Sequence, residues 1–302
     1  MGVLEGKVAI ITGGGRGIGA SISRAFVREG ASIVVNDLGS AEDGTGLDAG
    51  PAQDIANELN KDGLKVVADG GDIADVATGE RLVALAIENF GKLDIVVNVA
   101  GILRDKMIFN LEEKDWDAVI RVHLKGSYST IRPASAYWRE QRNPEGHYRI
   151  INFTSASGLH GSPGQPNYAA AKMGVVGLTQ SLANALSRYG VTANAIAPGA
   201  ATRLVATIPA ERRSGDGAPL DERLMSPDNI APVAVYLASD RSDWLTGRVI
   251  SAMGYKVGLY NVPEEISSVE ADEPWSVGEL SDELEKEFKP VASRLVASPF
   301  QS

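Results

Sequence analysis

The chain has 302 residues, 44% of them hydrophobic and 23% charged, enough for one large α/β domain or two small ones. Its formal net charge of −10 argues against a general nucleic-acid or anionic-membrane partner, which a polyanion repels. With no Cys and three scattered His, disulfides, thiolate chemistry and a histidine metal cluster have no basis, so no metal is expected.

Short β-branched runs alternate with segments of helical period, the pattern of a doubly wound parallel sheet with helices on both faces. Strands are expected at 8–12, 32–37, 65–69, 95–98, 149–153, 192–197 and 248–251. Helices are expected at 17–29, 51–61, 76–90, 111–139, 167–187 and 227–237, the last capped by Ser226 with Pro227 at its first position. Two segments break the rhythm: a Gly/Asp-rich loop at 38–50, and a polar stretch at 208–224 placed where a lid over the strand ends would sit. The alternation stops near residue 259. Residues 1–258 therefore read as one Rossmann domain, and 259–302 as an extension packed on the body or on a neighbouring subunit, helical at 277–288. No apolar stretch is long enough to span a bilayer, and the first strand begins too early for a cleavable leader, so a cytoplasmic protein is expected.

Gly13, Gly17 and Gly19, with Arg16 and Ile18 among them, follow the first strand and open a helix. Glycines let the backbone turn tightly and approach a pyrophosphate, which the helix N-terminus attracts. Asp37 ends the second strand, where a carboxylate binds the adenosine ribose hydroxyls and repels a 2′-phosphate, favouring NAD. Arg16 pulls the other way, since a basic residue in this loop can hold that phosphate. Tyr168 and Lys172 stand four apart in a helical segment and share one face. A nearby ammonium stabilises a phenolate. Lowering a tyrosine from ~10 by about three units takes ~4 kcal/mol, within reach of one or two close cations.

Together, residues 12–19, Asn98-Val99-Ala100-Gly101, Ser155, Tyr168, Lys172 and Pro198-Gly199 resemble the ordered motifs of short-chain dehydrogenases/reductases, over about residues 4–258. The resemblance implies a nicotinamide-dependent oxidoreductase acting on a secondary alcohol or ketone. Ser155 would bond the substrate oxygen, Tyr168 exchange its proton, and Lys172 lower the Tyr168 pKa and hold the nicotinamide ribose. Asp72 and Ile73 would meet adenine, Asn98 and Gly101 the adenine-ribose side, and Pro198, Gly199 and Thr202 the nicotinamide end. Two positions depart from the family pattern. Val99 replaces an Asn, removing one structural hydrogen bond. His123 stands where an Asn commonly completes a proton relay; it either holds the relay water or packs and bonds backbone.

A narrower resemblance concerns the substrate. The stretches 100–105, 121–127 and 155–158, and the turn at 36–39, are similar to the 3-hydroxyacyl-CoA dehydrogenase unit of peroxisomal multifunctional β-oxidation enzymes. They imply a lipid or acyl-CoA substrate, including hydroxysteroid types. Two alternatives stay open: an NADPH-dependent reductase of 3-oxoacyl-acyl-carrier protein, and a non-catalytic dinucleotide sensor. A sensor would have no need for Ser155, Tyr168 and Lys172 together. Relatives form homodimers or homotetramers through the helices expected here at 111–139 and 167–187, which are too apolar for a solvated face. Trp116 and Trp138 read as core or subunit contacts. His160 reads as ordinary loop or as the border of the substrate cleft.

Overall fold

Strands buried on both faces must be apolar along their whole length, and the runs Val-Ala-Ile-Ile-Thr and Ile-Val-Val-Asn meet that demand. In the computed structural model, which describes residues 2–200 and 221–292 apart from 47, 49, 62 and 64, they form the middle of an eight-stranded sheet. The strands are β1 (Val8–Thr12), β2 (Ser32–Asn36), β3 (Val66–Asp69), β4 (Ile95–Asn98), β5 (Tyr148–Phe153), β6 (Val191–Gly199), β7 (Val249–Met253) and β8 (Lys256–Leu259). Their spatial order is β3-β2-β1-β4-β5-β6-β7-β8, parallel through β7, with β8 antiparallel at the edge. The strand order reverses between β1 and β4, which opens a crevice at the carboxyl ends of these strands.

Helices cover both faces. On one, α1 (Gly17–Arg28), α2 (Gly50–Leu59) and α8 (Ala231–Ala238) bury Ile22, Phe26, Ile55 and Leu237 against Ile11, Val35 and Val97. On the other, α3 (Val76–Phe90), α5 (Gly126–Gln141) and α7 (Pro166–Leu186) pack Leu82, Ile131, Trp138 and Ala183 on Ile10, Val96 and Ile150. Trp138 is a core residue, its indole N–H donating to the Leu93 carbonyl at 2.8 Å, whereas Trp116 is partly exposed.

A polar row runs across the carboxyl edge of the sheet, with Asn36, Thr12, Asn98 and Asn152 in register. Buried hydrogen bonds extend it sideways: Thr130 Oγ1 donates to Asn98, Asn98 to Asn152, and Asn152 to Thr179. This chain of donors pins α5 and α7 to β4 and β5 at one height. In the dry interior each bond polarises the next, so the register of these helices is held tightly.

The region expected as one helix at 111–139 is α4 (Glu113–Ile120), a π turn at Arg121–Lys125 and then α5. The expected 227–237 helix begins as a 3₁₀ turn at Pro227–Asn229, capped by Ser226 Oγ, before α8. Elements not foreseen include α6 (Ala156–His160) and β8. The 38–50 segment is a loop, and most of the 208–224 stretch lies outside the described residues. Beyond β8, α9 (Val277–Glu287) starts with a Ser276/Glu279 capping box and carries no buried residue. Among the described residues, no helix is long and apolar enough to cross a membrane, and no group of His and acidic side chains could hold a metal ion.

Candidate active site

The turn from β1 into α1 is built on glycine for steric reasons. Gly13 has φ +62°, and a Cβ there would fall 2.8 Å from the Ala100 backbone; Gly17 also has positive φ. Arg16 precedes the helix but makes no side-chain cap, so the first-turn N–H groups remain free for an anion. A bare helix start behind a run of three glycines fits a dinucleotide pyrophosphate.

Asp37 lies just past β2 and is buried. Its two oxygens accept from the Gly15 N–H (3.0 Å) and the Gly39 N–H (2.8 Å). Arg16 leans over it, with a nitrogen 3.5 Å from the carboxylate and another bond to the Ser40 carbonyl, while its Nε is buried without a partner. Asp72 follows β3 and is held by Arg121 at 2.7 Å and by the Ala74 N–H, with Ile73 buried beside it. The Asn98 side chain is spent inside the sheet on Asn152 and Thr130, leaving only its backbone for the crevice. Pro198 and Gly199 end β6, and Thr202 lies outside the described residues.

Ser155, Tyr168 and Lys172 converge at the ends of β5 and the start of α7. Ser155 caps α6, its Oγ accepting from the Gly158 N–H at 2.9 Å, and its side chain lies close enough to the Tyr168 hydroxyl to favour the phenolate. Pro166 fixes the first turn of α7, which sends Tyr168 and Lys172 toward β5 one turn apart. Lys172 Nζ donates to the Phe153 carbonyl at 2.8 Å and lies 5.5 Å from the Tyr168 ring centroid. The His123 ring meets Tyr168 edge-on at 5.1 Å and bonds the Ile102 backbone through Nε2; its Nδ1 is buried with no partner. The π turn is what swings His123 inward, and Gly101 leaves room for it. Of the two roles open to His123, packing with a backbone bond is present, and the orphan Nδ1 leaves an atom available to a relay.

Burial dominates the electrostatics. It brings the Lys172 ammonium down to about 7. It also pushes the Tyr168 phenol up to about 12, against the Ser155 hydrogen bond and with help from the Asp105 charge. The rise is opposite in direction to the lowering expected from Lys172, and burial of the phenol is its largest cause. His123 is held well below its usual range by burial and then by the Lys172 charge, so the ring is neutral.

Three residues around Tyr168 were not singled out from sequence. Asn167, fully buried, donates to the Arg104 and Asp115 carbonyls. Gln165 bridges Ser157 and Asp105. Polar residues on both sides of a helix-opening Pro are the only sequence signal for Gln165 and Asn167; Asp105 ends the 100–105 stretch of the narrower resemblance, which gave it no role. His160 ends α6 with Nε2 3.1 Å from the Tyr260 hydroxyl.

A glycine-lined dinucleotide crevice feeding a Ser–Tyr–Lys cluster defines a class, and the family comparison gives the same one. The family model described as short chain dehydrogenase matches residues 7–212, and the chain belongs to that family of nicotinamide-dependent oxidoreductases. The hydroxyacyl-CoA dehydrogenase ChsB1 of Mycobacterium tuberculosis is 40% identical over 94% of this chain and 89% of its own. The peroxisomal multifunctional enzyme type 2 of Drosophila melanogaster is 37% identical over 85% of this chain, a match spanning 41% of that longer protein. A short chain dehydrogenase structure from Mycobacterium avium superposes with a TM-score of 0.81 at 40% identity, covering 95% of this chain and 96% of the other.

Proposed function

We propose that the protein is an NAD-dependent dehydrogenase that oxidises the secondary alcohol of a 3-hydroxyacyl-CoA or a hydroxysteroid-type lipid. The observation that carries this is the convergence of Ser155, Tyr168 and Lys172 beside the glycine-lined crevice. The 40% identity to a protein named hydroxyacyl-CoA dehydrogenase supports the acyl-CoA class.

The turn at Gly13, Arg16, Gly17, Ile18 and Gly19 would hold the pyrophosphate and Asp37 the adenosine ribose. Asp72, Ile73, Asn98 and Gly101 would line the adenine side, and Pro198, Gly199 and Thr202 the nicotinamide side. A bound nicotinamide supplies the hydride acceptor. Ser155 Oγ orients the substrate oxygen, and Tyr168 takes its proton. Lys172 holds the nicotinamide ribose, and its charge stabilises the phenolate. Neutral His123 backs the Tyr168 ring and offers Nδ1 to a water on the proton's way out. The working unit is a homo-oligomer, with the 259–302 extension packing on the body or on a neighbouring subunit.

The test is direct: purified protein with NAD⁺ or NADP⁺ against a panel of 3-hydroxyacyl-CoA esters and hydroxysteroids, following dinucleotide reduction. NAD⁺-dependent oxidation of an acyl-CoA or a steroid is expected. Turnover confined to NADPH and 3-oxoacyl-acyl-carrier protein would instead identify a reductase. Tight NAD⁺ binding without turnover on any alcohol would identify a sensor.

A further inference from the structure

Tyr168 and Lys172 leave the same helix, yet they are anchored to different parts of the fold. Lys172 is tied to the end of β5: its Nζ donates to the Phe153 carbonyl at 2.8 Å, and its own carbonyl accepts from Thr154 Oγ1 at 2.8 Å. Tyr168 stands in the first turn of α7, where a backbone N–H has no partner within the helix. That N–H donates to Asn167 Oδ1 at 2.8 Å. The Asn167 amide nitrogen donates in turn to the Arg104 carbonyl after β4 at 3.1 Å and to the Asp115 carbonyl in α4 at 3.2 Å. Two carbonyls on one side and an N–H on the other fix which end of the amide is oxygen. Asn167 is fully buried, so a bond left unmade here finds no water to replace it. The same two segments receive the Tyr168 ring, which packs on the cluster of Ile102 after β4, Val119 of α4 and Ala171.

We propose that Asn167 is a positioning residue of this site: its amide cross-links the start of α7 to α4 and to the segment after β4, and so sets where the Tyr168 hydroxyl stands relative to Lys172 and Ser155. The inference rests on reading Tyr168 as the acid/base. Because Lys172 has its own anchors at β5, loss of the Asn167 amide frees the Tyr168 end of the pair and leaves the other end in place. A displacement of about 1 Å in a positioned group can cost ~10²-fold in rate. The glycine turn after β1 receives none of the three Asn167 bonds, so dinucleotide binding is spared. Asn167→Asp keeps the shape and the acceptor for the Tyr168 N–H but turns an oxygen toward two carbonyls. Asn167→Ser keeps an acceptor and one donor. Asn167→Ala removes all three bonds.

The experiment compares these three variants with the wild type, saturated with NAD⁺ and held well below their unfolding transitions. Tyrosine is labelled with ¹³C at Cζ, and Tyr168→Phe assigns the Tyr168 line among the eight. In Asn167→Ala the Tyr168 line is expected to shift or broaden, while the lines of Tyr137 and Tyr148, packed on the α5 side of the sheet, stay in place. In 3-hydroxybutyryl-CoA oxidation, kcat should fall roughly 10- to 100-fold, with KM and the NAD⁺ dissociation constant each changed by less than about threefold. Asn167→Ser should recover part of the loss, and Asn167→Asp should be the poorest of the three. If Asn167→Ala does not fold, Asn167→Ser carries the same readings. An unmoved Tyr168 line overturns the proposal whatever the rate does. So does an unchanged kcat, or a kcat lost in step with NAD⁺ affinity, which marks a general loosening of the fold. Failure of the acid/base reading would appear separately, as full activity in Tyr168→Phe. Should the wild type turn over no alcohol at all, the Tyr168 line alone decides whether Asn167 positions it.

Discussion

Lys172 donates its ammonium to the Phe153 carbonyl at 2.8 Å while only 5% exposed, so the group that serves the site is held there at a cost to the fold. The folded lysine titrates at about 7 and an unfolded one at ~10.4. The unfolded chain therefore binds more protons between those values, and stability rises with pH across that window. At and below pH 7 the cost is fully present. Lys172→Met should raise the unfolding free energy most at and below neutrality, by roughly 1–3 kcal/mol after loss of the Phe153 bond, with the gain fading toward about pH 10. Thermal unfolding at two pH values checks this, and the variant should be catalytically poor.

Tyr168→Phe keeps the ring packed against His123 and removes only the hydroxyl. Turnover should fall by ~10² to 10⁴ with NAD⁺ binding intact, as expected for a positioned acid/base. Ser155→Ala should behave differently. It lowers turnover and also removes the α6 cap on the Gly158 N–H, costing about 1 kcal/mol of stability. Rates and denaturant midpoints of the two variants, side by side, separate these effects.

Asp37 accepts from two backbone N–H groups in addition to the ribose contact proposed for it. Asp37→Ala should narrow the preference for NAD⁺ over NADP⁺ while lowering stability by about 1–2 kcal/mol for the two lost bonds. Adding Arg16→Ala should remove any gain for NADP⁺, since Arg16 is the cation nearest Asp37. Calorimetric titration of both dinucleotides measures this; tighter NADP⁺ than NAD⁺ in the wild type would refute the assignment.

His123 fills the space beside Gly101 and bonds the Ile102 backbone. His123→Asn should retain most turnover, because an amide can keep that backbone bond. His123→Ala should lose more, leaving both a cavity and an unpaired Ile102. Turnover of His123→Ala equal to that of His123→Asn would show that the ring contributes nothing.

Ile108 and Phe109, at 62% and 76% exposure, precede α4, and Trp116 on α4, Tyr128 on α5 and Met173 on α7 are exposed as well. So much exposed apolar surface calls for a covering partner. Light scattering at micromolar concentration should return a dimer or tetramer, and Phe109→Glu should shift it toward monomer.

Strands β1 and β4 were legible to the residue because a doubly covered parallel strand is an unbroken apolar run bounded by turns. The end of β1 also located Gly13 to Gly19, and α7 located Tyr168 and Lys172. Periodicity could not reveal the π turn, since one inserted residue leaves the flanking helical pattern intact; the inward swing of His123 was invisible for that reason. α6 is a five-residue Ala/Ser/Gly/Leu/His turn with no apolar face, and β8 is short and mostly exposed, so neither carries a period. The Asp105–Gln165 bond joins residues 60 apart, and no local pattern encodes it.

The stretch 102–105 has a consequence for how the molecule assembles. Leu103 bonds the Glu42 carbonyl, Arg104 reaches Asp43 and Asn167, and Asp105 reaches Gln165, partners 60 to 63 residues away in both directions. Contacts at such separation form only after the loops between them have closed. A refolding chain should therefore regain its helical signal well before its activity, since these three residues are seated only when the strands on both sides of β4 are already in place.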